Sequence, residues 1–327
     1  MTGMAGKPVR TFNLFRAGLS YLRSTLTGLP ADDGMPPAIG VELTNHCNLG
    51  CPECASGSGL MTRPRGFMDP GLYDKIITEL HPYLFHINLY FQGEPMMHPS
   101  LGSFLVSGGN ILTTISTNGH FLSPGNCRIL AGGRLHKLII SVDGTDQETY
   151  SAYRRNGDLV KVMDGIRNIS EVRRQTGFPR VLEIQMLVNK YNENQADDMR
   201  KLARSFNARL KLKSMQIINS GNHQRWLPEE ERFRRYDQIG GTYRLKRARI
   251  RGCARLWLNP VITWDGKVLP CCFDKDARHV MGDLNQESFR DIWNGSRYRL
   301  FRRILLTDRN AIEICQNCTA ALRGIIT

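Results

Sequence analysis

The cysteines are the residues of this sequence whose type and spacing best indicate chemistry. Eight of the nine fall into two groups: Cys47, Cys51 and Cys54 near the start, and Cys253, Cys271, Cys272, Cys315 and Cys318 in the last quarter. No secretory signal precedes them, which predicts a cytoplasmic protein whose thiols stay reduced. Grouped cysteines in that compartment favour metal binding or catalysis over disulfides. The ninth, Cys127, stands alone and is predicted to be a buried apolar thiol.

The first group has the spacing C-x3-C-x2-C, which places three thiolates on one short loop. Three thiolates can hold three irons of a 4Fe–4S cube and leave the fourth iron open to another ligand. Zinc also binds thiolates, but a structural zinc site needs four ligands. His46 is the one nearby candidate for the fourth, and its position directly before Cys47 makes joint ligation awkward. The residue types alone leave both metals open.

The elements that must position these cysteines alternate between short apolar runs and longer helical patterns. Six runs are predicted to be strands, at residues 39–43, 87–91, 111–116, 137–142, 181–188 and 210–218. Strands that alternate with helices form parallel sheets with right-handed crossovers, so the order predicts an α/β fold, either a barrel or an open sheet. Polar or glycine-rich residues follow each strand. Because parallel strands end on one face, these residues are expected to converge on one site.

Together, the cysteine spacing and the strand-end motifs resemble the radical S-adenosylmethionine (SAM) superfamily. The resemblance runs from about residue 38 to residue 219 and implies a partial, TIM-like (β/α)6 barrel. It implies that the first cysteine group binds a 4Fe–4S cluster. The implied SAM-binding residues are Gly93, Glu94, Pro95, Thr117, Asn118, Ser141, Asp143 and Arg154. Among them, Glu94 would accept from the SAM amino group and Arg154 would pair with the SAM carboxylate.

One residue departs from the family pattern. Many members carry an aromatic residue just before the third cysteine, where it packs near the adenine, whereas this chain has Glu53. Adenine packing would then depend on other groups, and Glu53 is left without a predicted role.

The second cysteine group resembles the SPASM or shortened twitch extension of these enzymes, which binds auxiliary iron–sulfur clusters. The dipeptide Asp265-Gly266 predicts a hairpin that would bring Cys253 toward Cys271 and Cys272. Five cysteines favour one auxiliary 4Fe–4S cluster, with ligands Cys253, Cys271, Cys315 and Cys318, and with Cys272 as the alternative to Cys271. Cys272 is also a candidate hydrogen donor to a substrate radical. A zinc ribbon is the competing interpretation of these spacings.

The resemblance implies an oxidoreductase that cleaves SAM reductively to a 5′-deoxyadenosyl radical and takes hydrogen from a substrate. The auxiliary cluster would relay an electron, which favours dehydrogenation of a small sugar-like or aminocyclitol molecule. The alternative is a cross-link or epimerisation in a ribosomally made peptide. A flavodoxin- or ferredoxin-type protein is expected to supply electrons. A zinc-stabilised nucleic-acid-binding protein is the non-enzyme alternative, and it leaves residues 93–95 and 141–144 unexplained.

The composition is that of a globular protein. The chain has 327 residues, 41% of them hydrophobic, and a net charge of +14. No apolar run approaches the roughly 18 residues of a membrane-spanning helix. Four segments are predicted: an N-terminal basic amphipathic helix and linker (1–37), a radical SAM core (38–219), a basic bridging segment (220–252) and an auxiliary-cluster domain (253–327) that depends on its metal centre for order.

Two of these segments carry more specific predictions. The first helix, predicted at residues 8–25 with its large apolar residues on one side, is expected to pack across the body of the protein, with a membrane-surface helix as the alternative. The nine cations of the bridging segment indicate a solvated linker helix, with an anion-binding lip as the alternative.

Overall fold

The computed structural model describes residues 6–246 and 252–318. Its strands are β1 (Ala38–Val41), β2 (His86–Asn88), β3 (Leu112–Thr117), β4 (Lys137–Ser141), β5 (Val181–Val188), β6 (Arg209–Ser214), β7 (Tyr236–Ile239), β8 (Thr242–Leu245), β9 (Val261–Ile262), β10 (Lys267–Leu269) and β11 (Gly282–Asp283). Its helices are α1 (Gly6–Thr27), α2 (Pro70–Leu80), α3 (Leu101–Ser107), α4 (Pro124–Gly132), α5 (Gln147–Tyr153), α6 (Leu159–Thr176), α7 (Ala196–Ser205), α8 (His223–Trp226), α9 (Arg255–Leu258), α10 (Phe289–Trp293), α11 (Ser296–Thr307) and α12 (Glu313–Gln316). The end of the predicted bridging segment (247–251) and of the predicted auxiliary domain (319–327) lie outside the described residues.

The described residues fall into two compact units that interleave along the chain. Those of the first unit lie within Met1–His46, Thr62–Thr113 and Arg249–Ala321, and those of the second within Cys47–Met61 and Thr114–Ala248. The four predicted segments instead follow one another in sequence order, and their boundaries stay a prediction.

In the first unit, β1 lies between two parallel neighbours. Gly40 of β1 pairs with Asn88 of β2 and with Val261 of β9. Strand β10 runs antiparallel to both β9 and β11. The turn between β9 and β10 contains Asp265 and Gly266, so the predicted hairpin is confirmed.

A buried cation forms part of the first unit's core. Arg302 of α11 is fully buried, and its guanidinium lies 4.4 Å from the ring centre of Trp293, 4.7 Å from Tyr298 and 5.5 Å from Trp257. Its Nη1 donates to the Trp293 carbonyl at 3.4 Å. Burial lowers the pKa of Arg302 to about 10. Because this value is still well above 7, the guanidinium remains charged at neutral pH. Attraction between the cation and the three rings stabilises this enclosure.

In the second unit, β3, β4, β5 and β6 pair in that order, and every pair is parallel. The β-branched and leucine residues of β4 are buried, as expected for a strand covered on both faces. Strand β5 spans the predicted residues 181–188, whereas β6 ends at Ser214 rather than at residue 218. The prediction of a mostly parallel α/β fold built from strand–helix units is confirmed.

Helix α1 packs on the first unit with its apolar side outward. Its large apolar residues are exposed, and the face that packs on the first unit is small and polar, with Asn13, Ala17, Ser20 and Ser24 buried. The helix does pack on the body of the protein, as expected, but through its small polar face and not through its large apolar residues. The reason is local, because the buried face carries polar groups that find specific partners in the first unit.

Within its described residues 220–246, the bridging segment does not form a linker helix. After the short helix α8, the chain forms the antiparallel hairpin β7–β8, in which Tyr236 pairs with Leu245. The two residues at its tip, Gly240 and Gly241, have φ values of +56° and +76°, which a two-residue hairpin turn requires. The linker-helix prediction is therefore wrong, because the glycine pair outweighs the charge pattern. Within the described residues, no helix combines the length and the apolar character needed to cross a bilayer.

Candidate active site

The three cysteines of the first group lie on a loop of the second unit that backbone hydrogen bonds hold in a tight turn. The Cys54 N–H donates to the Cys51 carbonyl at 3.2 Å, and the Ser58 N–H donates to the Cys54 carbonyl at 2.8 Å. The Gly50 N–H donates to the Arg155 carbonyl at 3.0 Å, which ties the loop to the residues after α5. The predicted cluster ligands are thus fixed on one short segment.

The surroundings of this loop are apolar. Cys51 belongs to a buried cluster of side chains, and Cys47 and Cys54 pack against that cluster. Its other buried members are Leu49, Tyr153, Met215, Ile217, Trp226, Leu227 and Tyr236. Burial raises the pKa of the Cys51 thiol to about 11, although the nearby Arg154 guanidinium opposes the rise. Apolar side chains of this kind exclude water from the loop, and a reactive radical would require a site without water.

An ion pair between the fully buried Asp143 and Arg154, whose side chain is 15% exposed, lies beside Cys51. Arg154 Nε donates to Asp143 Oδ2 at 2.6 Å, and Arg154 Nη1 lies 3.8 Å from Cys51 Sγ. Asp143 Oδ1 accepts the Leu187 N–H at 2.6 Å. Burial acts to lower the pKa of Arg154, but Asp143 and Cys51 outweigh it and hold that pKa well above its ordinary value. The Asp143 carboxylate therefore keeps the Arg154 guanidinium charged and fixed beside the cysteine loop.

Asn118 follows β3 and contacts the cysteine loop directly. Its Nδ2 donates to Asn48 Oδ1 at 2.7 Å and lies 3.9 Å from Cys47 Sγ. Thr117 and Ser141, the last residues of β3 and β4, are both buried. Because these strands are parallel neighbours in matching register, the two residues lie at the same end of the sheet. The second unit thus brings these predicted SAM-binding residues to the strand ends, as the sequence indicated.

The other predicted SAM-binding residues, Gly93, Glu94 and Pro95, form a sharp turn after β2 in the first unit. Gly93 has a φ of +74°, and a Cβ at this position would lie 2.5 Å from the Thr44 carbonyl oxygen. A larger residue would therefore displace the backbone. The Glu94 N–H donates to the His46 carbonyl at 2.7 Å. Glu94 Oε1 accepts the Met96 N–H at 3.0 Å. The turn is fixed against the segment that leads into the first cysteine.

Glu53, which had no predicted role, anchors the cysteine loop. Its Oε2 accepts the Ile218 N–H at 2.6 Å and the Asn219 N–H at 3.3 Å, and its Oε1 accepts from Asn222 Nδ2 at 2.6 Å. The side chain is buried. The available signal in the sequence was a carboxylate between two predicted ligand cysteines, where a buried charge requires partners.

Replacing Glu53 with alanine is expected to lower the free energy of unfolding by about 1.5–3 kcal/mol, the usual contribution of hydrogen bonds to a charged group. The change leaves two backbone N–H groups without their carboxylate acceptor. Denaturant titration of the anaerobic protein measures the effect. Glu53→Gln, which keeps one acceptor oxygen, is the matched control and should lose less stability. An alanine variant as stable as the unmodified protein would show that the anchor contributes nothing.

The cysteines of the second group lie in the first unit, close enough for their charges to interact. Burial raises the pKa of the Cys271 thiol well above its ordinary value, and Cys272, Cys253 and Cys318 raise it further. Burial likewise raises the pKa of Cys315 to about 12; Arg309 opposes the rise, while Cys318 and Cys253 add to it. Cys253 and Cys271, which the hairpin was expected to bring toward each other, are close enough for their charges to interact, and the set of auxiliary ligands stays a prediction.

Two arginines of the first unit contact these thiols, and neither could be singled out from sequence patterns. Arg255 Nη1 donates to Cys272 Sγ at 3.0 Å. Arg309 hydrogen-bonds with Cys315 and Cys318. The charge of Cys272 raises the pKa of Arg255 despite its partial burial. Both arginines add positive charge to a site whose ligands would be anionic.

The donor sets of both sites fit iron–sulfur clusters. Their thiolates are the donors that such clusters use, with each sulfur bound to a different iron. The Arg154 guanidinium at the first cysteine group partly offsets the negative charge of the thiolates. Arg255 and Arg309 do so at the second group.

Comparison with known proteins identifies the family. The radical SAM superfamily matches residues 41–203, and the SPASM iron–sulfur cluster-binding domain matches residues 253–319. The chain belongs to the radical SAM superfamily and carries a C-terminal SPASM domain. Its cofactors are SAM, the 4Fe–4S cluster that binds SAM, and the auxiliary iron–sulfur cluster of the SPASM domain. The predicted family and cofactors are confirmed.

Two characterised relatives differ in how much of their length is matched. The mycofactocin maturase MftC of Mycobacterium ulcerans is 28% identical over 189 residues, which are 57% of this chain and 49% of the relative. This chain therefore matches about half the length of that protein. The S-adenosyl-L-methionine-dependent 2-deoxy-scyllo-inosamine dehydrogenase of Niallia circulans is 22% identical over 287 residues, 86% of this chain and 91% of the relative.

Solved structures share the fold. BtrN in complex with AdoMet and 2-DOIA superposes with a TM-score of 0.57 at 20% identity, over 90% of this chain and 96% of BtrN. SuiB of Streptococcus suis, bound to the precursor peptide SuiA, superposes with a TM-score of 0.63 at 13% identity, over 97% of this chain and 77% of SuiB. At these identities the similarity establishes the architecture alone.

Proposed function

We propose that this chain is a radical SAM oxidoreductase that cleaves SAM reductively and abstracts hydrogen from a small sugar-like or aminocyclitol substrate. The observation that carries the proposal is the Asp143–Arg154 pair beside Cys51, since it fixes a cation against a loop of three thiols in an apolar setting. A 4Fe–4S cluster on three thiolates, with SAM on its open iron, supplies a 5′-deoxyadenosyl radical.

Each residue of the core has a part in this proposal. Cys47, Cys51 and Cys54 hold the cluster. Glu94 accepts from the SAM amino group, and Arg154 pairs with the SAM carboxylate. Asp143 Oδ2 accepts a hydrogen bond from Arg154 Nε–H and so orients the outer guanidinium nitrogens. The remaining SAM-binding residues proposed here are Gly93, Pro95, Thr117, Asn118 and Ser141.

The auxiliary site is proposed to take electrons from the substrate radical. Cys253, Cys271, Cys315 and Cys318 are its proposed ligands. Cys272, whose sulfur accepts from Arg255 Nη1, is the alternative to Cys271 and the candidate hydrogen donor. A site fully ligated by thiolates has no open iron for substrate, so it suits electron transfer and dehydrogenation. A flavodoxin- or ferredoxin-type donor and a cytoplasmic location complete the proposal.

The small substrate is supported by relatives matched along most of their length. The dehydrogenase of Niallia circulans is matched over 91% of its length, and BtrN over 96% of its chain. Modification of a ribosomally made peptide is the second candidate, which is supported by the similarity in fold to SuiB with its bound precursor peptide.

Anaerobic reconstitution with iron and sulfide tests the proposal. Two 4Fe–4S clusters predict about eight irons per chain, and reductant with SAM should yield 5′-deoxyadenosine. Deuterated candidate substrates, sugar-like and peptide, should transfer deuterium into that product if they are the hydrogen source. Reconstituted protein that bound zinc tightly and formed no 5′-deoxyadenosine would contradict the proposal.

Replacing Cys315 with alanine is expected to separate the two sites. SAM cleavage should persist at a reduced, uncoupled level, because the first cysteine group is intact, while substrate turnover is lost. The ratio of 5′-deoxyadenosine to oxidised product measures this split. Cys127→Ala is the matched control, since that thiol is buried in the second unit and bonds only weakly, at 3.6 Å, to the Leu122 carbonyl. Loss of both activities in Cys315→Ala would contradict the division of labour.

A further inference from the structure

Helix α1 carries a continuous apolar surface that faces away from the first unit. Phe12, Phe15, Leu19, Leu22 and Leu26 are exposed by 63%, 62%, 48%, 54% and 80%. Their spacing of three and four residues places them on one side of the helix. We call these five residues the apolar stripe. It extends over about 21 Å, at 1.5 Å per residue.

Hydrogen bonds on the opposite face fix the helix in this orientation. The Asn13 amide donates to the Met35 carbonyl at 2.9 Å and accepts the Met35 N–H at 2.8 Å. Arg10 Nη2 donates to Asn110 Oδ1 at 2.8 Å, and Arg10 Nε donates to the His81 carbonyl at 3.3 Å. Rolling the helix to bury the stripe would break all four bonds. The exposure is therefore built into the packing.

The charges of α1 select the kind of surface that could cover the stripe. The helix Gly6–Thr27 contains no Asp or Glu. Arg16 and Arg23 are exposed and lie along one edge of the stripe, with the Arg16 guanidinium 6.0 Å from the Phe12 ring centre. A second copy of the helix would bring like charges together without acidic partners. An anionic lipid surface matches both the cations and the apolar side chains.

We propose that α1 docks the protein on an anionic lipid surface. The helix lies in the plane of the interface, with the apolar stripe at the acyl boundary and with Arg16 and Arg23 among the lipid phosphates. Membrane contact of this kind is separate from the proposed function, because it uses none of the cysteines or SAM-binding residues.

Flotation with unilamellar vesicles tests the proposal on the anaerobically purified, cluster-loaded protein. Vesicles of phosphatidylcholine with about 30% phosphatidylglycerol should bind the protein more than about tenfold better than phosphatidylcholine alone, and binding should fall as salt rises from about 0.1 M to about 0.5 M. The triple variant Phe12→Ser, Phe15→Ser and Leu19→Ser should bind at least about tenfold more weakly. Arg16→Ser with Arg23→Ser should reduce the preference for the anionic vesicles by about tenfold or more, since each cation contributes near the surface.

The control variant carries Val106→Ser and Val160→Ser, two exposed valines on α3 and α6. It should bind vesicles like the unmodified protein. Because the stripe is exposed, the triple variant should keep the same thermal unfolding midpoint, which separates lost docking from lost folding. Absence of binding by the unmodified protein, or equal binding by the triple and control variants, would overturn the proposal. So would a concentration-dependent dimer that the triple variant abolishes without any vesicle binding, since a second copy would then cover the stripe.

Discussion

Replacement of Cys51 by alanine is expected to abolish 5′-deoxyadenosine formation. The change removes one of the three thiolates proposed to hold the SAM-binding cluster, and the buried position of Cys51 offers no substitute ligand. Iron content should fall from about eight to about four per chain, because the auxiliary site keeps its own ligands. Iron analysis and chromatography of 5′-deoxyadenosine after anaerobic reconstitution measure both effects.

Cys127→Ala again serves as the control, because it removes a buried thiol of the same unit that the proposal leaves unused. It should retain full iron and full activity. A Cys51→Ala variant that kept its iron content and still cleaved SAM would remove the first cysteine group from the catalytic site.

The second large effect is expected from Asp143→Ala. The substitution leaves the Arg154 guanidinium, whose side chain is 15% exposed, without its carboxylate. Breaking a fully buried pair costs about 3–5 kcal/mol, so we expect a loss of stability somewhat below that range. It also releases the guanidinium from its orientation beside Cys51, so the affinity for SAM should fall sharply. Denaturant titration gives the first quantity, and the change in the cluster's electron paramagnetic resonance spectrum on addition of SAM gives the second.

The double variant Asp143→Leu with Arg154→Met separates these two effects. Replacing a buried ion pair with apolar residues of similar volume is often neutral for stability, so much of the lost free energy should return. The affinity for SAM should stay low, because the proposed partner of its carboxylate is gone. Recovery of SAM binding in the double variant would show that Arg154 is a structural residue alone.

Motifs with strict spacing could be predicted from the sequence, and residues whose role depends on distant partners could not. The hairpin at Asp265-Gly266 and the strand β5 were predictable because turn chemistry and apolar runs act locally. Glu53 could not be assigned, since its partners at Ile218, Asn219 and Asn222 lie far along the chain and include backbone N–H groups that any residue supplies.

Helix α1 shows a different limit. Its periodicity correctly predicted a helix, but periodicity gives only the separation of the two faces and not which face packs inward. Asn13 and Arg10 decided that question through partners at Met35 and Asn110. In the bridging segment, a count of charges indicated a solvated helix, while two adjacent glycines turned the chain back on itself.

The enclosure of Arg302 by Trp257, Trp293 and Tyr298 bears on whether the last quarter of the chain stays folded when its iron is lost. None of these four residues is a cysteine, and their mutual attraction needs no metal. Loss of iron should therefore leave this aromatic cluster assembled, contrary to the expectation that the last quarter of the chain depends on its metal centre for order. Protein that has lost its iron should then regain its clusters by reconstitution, without a refolding step.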